Sequence, residues 1–193
     1  MEQQFQYYAF ISYKREDEKW AKWLQDRLRW YKLPSKLCRQ ITRLPKKVWP
    51  VFRDNTDLDS GRLEENIRHE LERSHYLIVI CSPEAARSPW VGKEVKYFAT
   101  LHGADKIIPF VVSGIPYSND IETECIHEQI KAISQEELLA INVREEGIGS
   151  FAMKKKRAFI RVVARLLDIK FNTLWQPYER ILRIRKWSTG IGV

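Results

Sequence analysis

The 193-residue chain carries 33 Lys or Arg against 25 Asp or Glu, a net charge of +8, with 44% hydrophobic and 30% charged residues. That balance fits a soluble globular chain, whose length holds one core of about 150 residues plus an extension and not two ordinary domains; no apolar run approaches the ~18 residues of a membrane span. Three scattered cysteines, Cys38, Cys81 and Cys125, form no CxxC or CxxH pair, and the opening MEQQFQYY has no signal-peptide pattern, so a reducing cytosol is the expected setting.

Tyr7 to Tyr13, YYAFISY, is an apolar, β-rich run and reads as the first strand, ended by Lys14-Arg15-Glu16-Asp17. From Asp17 the spacing of Trp20, Trp23, Leu24, Leu28 and Tyr31 becomes helical and stops before Pro34. The proline-bearing, basic segment LPSKLCRQITRLPKK reads as an irregular connection, and Val48 to Phe52 as a short second strand. RDNTDLDSGRL is a polar loop; Ser60 can cap a following helix with Leu63, Ile67 and Leu71 on one face. Tyr76 to Cys81 is apolar on both faces, as a strand in the middle of a parallel sheet must be. Ser82 and Pro83 stop it, and after a short loop Ser88 and Pro89 are placed to cap and open a helix carrying Trp90, Glu94, Tyr97 and Phe98. Trp90 and Glu94, four apart, share one face of that helix.

Further on, Lys106 to Val112 reads as a fourth strand holding Pro109, which needs a position that tolerates a missing donor. A helix including Cys125 to Ile133 and a strand over Leu138 to Val143 follow. Phe151 to Leu167 is a helix that buries Phe151, Phe159, Val162, Val163, Leu166 and Leu167. Strands that alternate with helices imply an α/β fold: a flavodoxin-like five-stranded parallel sheet, order 2-1-3-4-5, with helices on both faces. Cys81 reads as a small core residue, and His69, His75, His102 and His127 show no ligand spacing and read as surface or interface residues.

From Phe151 onward there are eleven Lys or Arg against two acids, so this segment holds +9 and residues 1–150 hold −1. Within it, FNTLWQPYERILRIRKW can start a helix around Pro177. Such a basic, aromatic-flanked segment can pack on the core, dock on another subunit, lie on an anionic membrane or grip nucleic acid. Its short apolar face and the absence of nucleic-acid motifs favour the first two.

Three stretches, YYAFISYKRED, FRDNTDLDSGRLEENI and SPWVGKEV, taken in order, resemble a Toll/interleukin-1 receptor (TIR) domain of the bacterial type. Phe10, Ile11, Ser12 and Tyr13 are similar to the family's opening box. Asp54 matches the acid that ends its second strand, and Leu58-Asp59-Ser60-Gly61 matches its mobile BB loop. Trp90 and Glu94 match the tryptophan and glutamate of the TIR domains that consume NAD. The resemblance divides the chain into a TIR domain over 1–168 and a basic helical tail over 169–193.

The resemblance implies cleavage of the nicotinamide–ribose bond of NAD+ to ADP-ribose or a cyclic product, often in antiphage defence, with Glu94 catalytic. Asp54 and Trp90 then fall at the substrate, Trp90 stacked on a ring or packed on the sheet and Asp54 near the substrate or bracing the loop. Ser12, Tyr13, Lys14 and Arg15 leave the carboxyl end of the first strand beside the same crevice, with Lys14 and Arg15 either at the pyrophosphate or in surface ion pairs. NAD+ is then a substrate, with no cofactor and no metal expected. Partners implied are a second TIR domain, met through Asp57 to Gly61, and a separate effector that responds to the product. The competing class is a non-catalytic TIR–TIR signalling module, in which Glu94 would be dispensable.

Overall fold

The computed structural model describes residues 5–41, 44–53, 61–133, 139–144, 149–177 and 179. Five strands, β1 (Tyr7–Ser12), β2 (Val51–Arg53), β3 (Ser74–Cys81), β4 (Ile107–Val111) and β5 (Ile141–Asn142), form one sheet in the order β2-β1-β3-β4-β5. Every pairing is parallel, with Ile11 opposite Arg53 on one side of β1, Ser12 opposite Val79 on the other, and Val79 opposite Pro109. The flavodoxin-like order expected from the alternation of strands and helices is therefore the observed one.

Because β1, β3 and β4 are covered on both sides, their residues alternate between two apolar layers. Ala9, Ile11, Tyr76, Ile78, Ile80, Ile108 and Phe110 face a core built with Leu24 and Leu28 of α1 (Glu18–Trp30), Leu37 of α2 (Ser35–Gln40) and Val162 and Val163 of α7 (Phe151–Leu166). Phe10, Leu77, Val79, Cys81 and Val111 face the opposite core, with Ile67 and Leu71 of α3 (Gly61–Glu72), Val91, Val95 and Phe98 of α5 (Pro89–His102) and Ile130 of α6 (Glu128–Ile133). Cys81 is a core residue, as read from the sequence. No helix among the described residues is long and apolar enough to cross a membrane.

Several expectations need correction. The connection after the first helix contains α2: Pro34 sits at its N-cap, where no amide donor is needed, its carbonyl accepts from Leu37 and Cys38 at 2.9 and 3.1 Å, and Leu37 is buried. β2 starts at Val51 rather than Val48, directly after Pro50, which has no amide to give a ladder. The loop after β3 holds a one-turn helix, α4 (Pro83–Ala86), whose N-cap Ser82 accepts from the Ala85 amide at 3.0 Å.

Pro109 lies in an interior strand, and the ladder explains how. The Val112 amide donates to Cys81 on β3 while the Val111 carbonyl accepts from Val143. Strict alternation then turns the Pro109 nitrogen toward β5, one residue before that two-residue strand begins to pair.

α6 begins at Glu128 rather than Cys125, because the Ile126 amide is bonded instead to the Glu124 carboxylate at 2.6 Å. β5 is shorter than predicted, and Leu138 lies outside the described residues. Phe151 is 53% exposed, not buried: at the first position of α7 it meets the edge of Trp20 at 6.4 Å rather than the sheet. Residues 171–177 are helical, so the helix expected to start around Pro177 already begins at Phe171, and Leu174 and Trp175 join the α1/α7 core.

Candidate active site

The site grows from the carboxyl ends of β1 and β3, where open α/β sheets leave a crevice. β1 ends in Ser12, which is 1% exposed, and its hydroxyl donates to Oε2 of Glu94. Glu94 is itself only 5% exposed. It is held there by α5, which starts as the sequence suggested: Ser88 is the N-cap, its hydroxyl accepting from Val91 at 3.4 Å, and Pro89 occupies the first turn. Glu94 projects inward to β1 while Trp90, one turn earlier, packs against the α3/α5 core with the Lys93 ammonium 5.3 Å from its ring centre.

Trp90 and Glu94 both line a cavity of about 300 Å³ between α3 and α5, whose other walls include Ile67, Leu71, Tyr97 and Arg68. The arrangement is a buried, oriented carboxylate beside an aromatic wall, in a pocket at the lower end of the size of ordinary ligand sites. Lys93 and Lys96 stand on its rim from α5.

Tyr13 continues from Ser12 and is tied to the end of β2. The Arg53 side chain, 9% exposed, donates from Nη1 to the Tyr13 hydroxyl and from Nε to Gln25 Oε1, each at 3.0 Å, and reaches Glu18 at 3.5 Å. Lys14 is half-buried at the N-cap of a 3₁₀ turn, Arg15–Asp17, on which Arg15 is exposed; neither lines the Glu94 cavity. Asp54 and Asp57 to Ser60 lie outside the described residues, and Gly61 opens α3. Ser12, Trp90 and Glu94 are thus brought together, while Tyr13 enters through its bond to Arg53.

Three features escaped the sequence reading. Arg53, part-buried at the end of β2, braces the strand that leads to Asp54. Asp17 is buried at 7% exposure and accepts a 2.5 Å hydrogen bond from the Ser82 hydroxyl, pinning the segment after β1 to the end of β3. Burial pushes the Asp17 carboxyl above its usual range, and the Ser82 bond opposes that. His127, read as a surface or interface residue, is 7% exposed: its Nε2 donates to the Ser88 carbonyl at 3.1 Å and its Nδ1 accepts from the Gln129 amide at 3.0 Å. It packs directly on Gly92, where a methyl group would stand 2.5 Å from its Cε1. Gly92, a glycine inside a helix, signalled a close approach at that turn but not the residue that makes it. Among the described residues no group of three or more His, Cys, Asp or Glu is placed to hold a metal ion.

The sequence is 36% identical over 110 residues to the NAD(+) hydrolase ApTIR of Actinoplanes sp., a match covering 56% of this chain and 14% of the length of that much larger relative. In fold it is similar to the TIR domains in the structure of the activated Roq1 resistosome directly recognizing the pathogen effector XopQ. That match has a TM-score of 0.51 at 14% identity, over 80% of this chain and 98% of the other. The TIR domain family model matches residues 9–146, from the middle of β1 past β5, and the chain belongs to that family.

Proposed function

We propose that this TIR domain cleaves the N-glycosidic bond between nicotinamide and ribose in NAD+, with Glu94 as its catalytic group. The observation that carries the reading is a carboxylate buried to 5% exposure, held by Ser12 at the carboxyl end of the sheet, and opening on a cavity with an aromatic wall. The name of the Actinoplanes relative supports the same chemistry.

The reaction asks little of the protein. As the C1′–N bond breaks, its electron pair returns to the pyridinium ring, so nicotinamide leaves neutral and no general acid is needed. Positive charge grows on the ribose, in a transition state of oxocarbenium character. A carboxylate aimed at that charge stabilises the transition state more than the ground state. Ser12 restricts rotation of the Glu94 carboxylate, so its orientation is set before the substrate arrives. Water then adds to C1′ and releases a proton, giving ADP-ribose; capture of C1′ by a group within the same ADP-ribose gives a cyclic product instead. On this reading the cavity of about 300 Å³ takes the nicotinamide riboside half, and Arg68, Lys93 and Lys96, which line it, supply positive charge for the pyrophosphate. Assembly through the segment Asp57 to Gly61 completes the pocket, so activity rises with protein concentration, and the product acts on a separate effector in antiphage defence.

The test is chromatography of NAD+ incubated with concentrated protein, with products identified by mass. Release of nicotinamide with ADP-ribose, or with its cyclic form, supports the proposal and separates the two outcomes. Intact NAD+ at every protein concentration overturns it and favours the non-catalytic signalling module.

A further inference from the structure

The two helical layers differ sharply in charge. Segments 18–41 and 151–177, which supply α1, α2 and α7, hold fourteen Lys or Arg against three acids, a net +11. Segments 65–73, 83–106 and 113–133, on the other side of the sheet, hold seven against ten, a net −3. The molecule therefore presents one strongly positive face, opposite the layer that carries Glu94.

On that face the cations are matched to aromatic rings. The Lys155 ammonium lies 4.4 and 4.2 Å from the ring centres of Trp20 and Trp23, and the Arg29 guanidinium lies 5.4 and 5.7 Å from those of Trp30 and Trp49. Arg157 covers Trp175 and Arg161 covers Phe171 at 5.4 and 5.5 Å. Two apolar rings stand out of the surface: Trp30, 72% exposed at the end of α1, and Phe151, 53% exposed beside Trp20. Trp20 and Trp30 are about 15 Å apart along the helix, so these rings flank the basic field rather than form one patch.

We propose that the α1/α2/α7 face docks on an anionic lipid bilayer, leaving the Glu94 layer turned to solvent. Spread positive charge meets acidic headgroups over a plane, and exposed Trp and Phe beside Lys and Arg suit the boundary between headgroups and acyl chains. Single-stranded nucleic acid fits less well: base stacking needs open ring faces, and cations already cover the faces of Trp20, Trp23, Trp49 and Trp175. Residues 171–177 pack on this same layer, and Arg180, Arg183, Arg185 and Lys186 follow them in sequence. The proposal is independent of the NAD+ reaction.

The test is co-sedimentation of the full chain with vesicles of phosphatidylcholine alone and of phosphatidylcholine mixed with phosphatidylglycerol. Binding is expected only to the second, weakening as salt screens the charges. Changing Lys154, Lys155 and Lys156 together to Gln removes three charges at about 5-fold each and lowers partitioning about 100-fold, with circular dichroism unchanged. Should that variant fail to fold, Lys22→Gln with Trp30→Ser, both on the exposed surface, reads the same face. Equal binding to both vesicles, or α1/α7 variants that bind as wild type, overturns the proposal. So does loss of binding only when Arg183, Arg185 and Lys186 are changed to Gln, or tighter binding to single-stranded DNA or an acidic peptide at equal salt.

Discussion

Gly92→Ala puts a methyl group into the contact that fixes the first turns of α5. The new Cβ would stand 2.5 Å from His127 Cε1 and 2.7 Å from Nε2, so the ring must move by roughly 1 Å to reach ordinary contact. The ring cannot move without stretching its bonds to the Ser88 carbonyl and the Gln129 amide. Overpacking costs about 1–3 kcal/mol and a lost hydrogen bond about 1 kcal/mol. Alanine in place of glycine inside a helix returns about 1 kcal/mol. Gly92→Ala should therefore destabilise the domain by about 1–3 kcal/mol net, read from the midpoint of urea unfolding at constant m. In a His127→Ala background the obstacle is gone and only the helical gain remains, so the same substitution should become neutral or stabilising by up to about 1 kcal/mol. Equal effects of Gly92→Ala in the two backgrounds would refute the packing argument.

Ser12→Ala should lower NAD+ turnover about 10-fold, the scale of one hydrogen bond to a charged group, with a smaller change in KM. Steady-state kinetics check this, and unchanged turnover would deny Ser12 its positioning role. Burial holds His75, His102 and His127 below the ordinary imidazole value of 6.5, so the folded state binds fewer protons than the unfolded chain. Stability is complete above about pH 6.5 and should fall as the pH drops below it, seen as a lower unfolding midpoint at pH 5 than at pH 7. Asp17 has the opposite sign: its raised carboxyl value favours the fold at low pH and weakens it as pH rises through that value. Asp17→Asn should accordingly gain stability relative to wild type between pH 4 and pH 7, and a constant difference would contradict the assignment. Cys125, pushed up to about 12 by burial, and buried Cys81 should resist iodoacetamide at pH 8, while half-buried Cys38 reacts first, as mass spectrometry of the labelled peptides would show.

What was legible in the sequence is what local chemistry dictates. Tyr76 to Cys81 is apolar on both faces because helices cover both, and Ser88-Pro89 opens α5 because a hydroxyl cap and a residue without an amide donor suit those positions. Glu94 was found by resemblance together with the rule that crevices lie at the carboxyl ends of strands. Its partner Ser12 was named but not the bond, since 82 residues separate them and only the adjacency of β1 and β3 joins them. Arg53 and Asp17 were missed for the same reason: each is an ordinary charged residue in its local context and becomes structural only through Tyr13 and Ser82. Phe151 was misplaced because helical period assigns a face but cannot tell that the first turn meets Trp20 instead of the sheet. His127 carried no spacing signal, and its meaning depends on a glycine 35 residues earlier.

On the proposed mechanism the Glu94 carboxylate stabilises charge on the ribose. The most direct measurement is nicotinamide release by Glu94→Gln beside wild type, at equal concentration and with matched unfolding midpoints, because glutamine keeps the shape and a hydrogen-bond acceptor for Ser12 while removing the negative charge. Turnover should fall by about 10²-fold or more. Release at the wild-type rate would contradict it and leave Glu94 as a packing residue between α5 and β1.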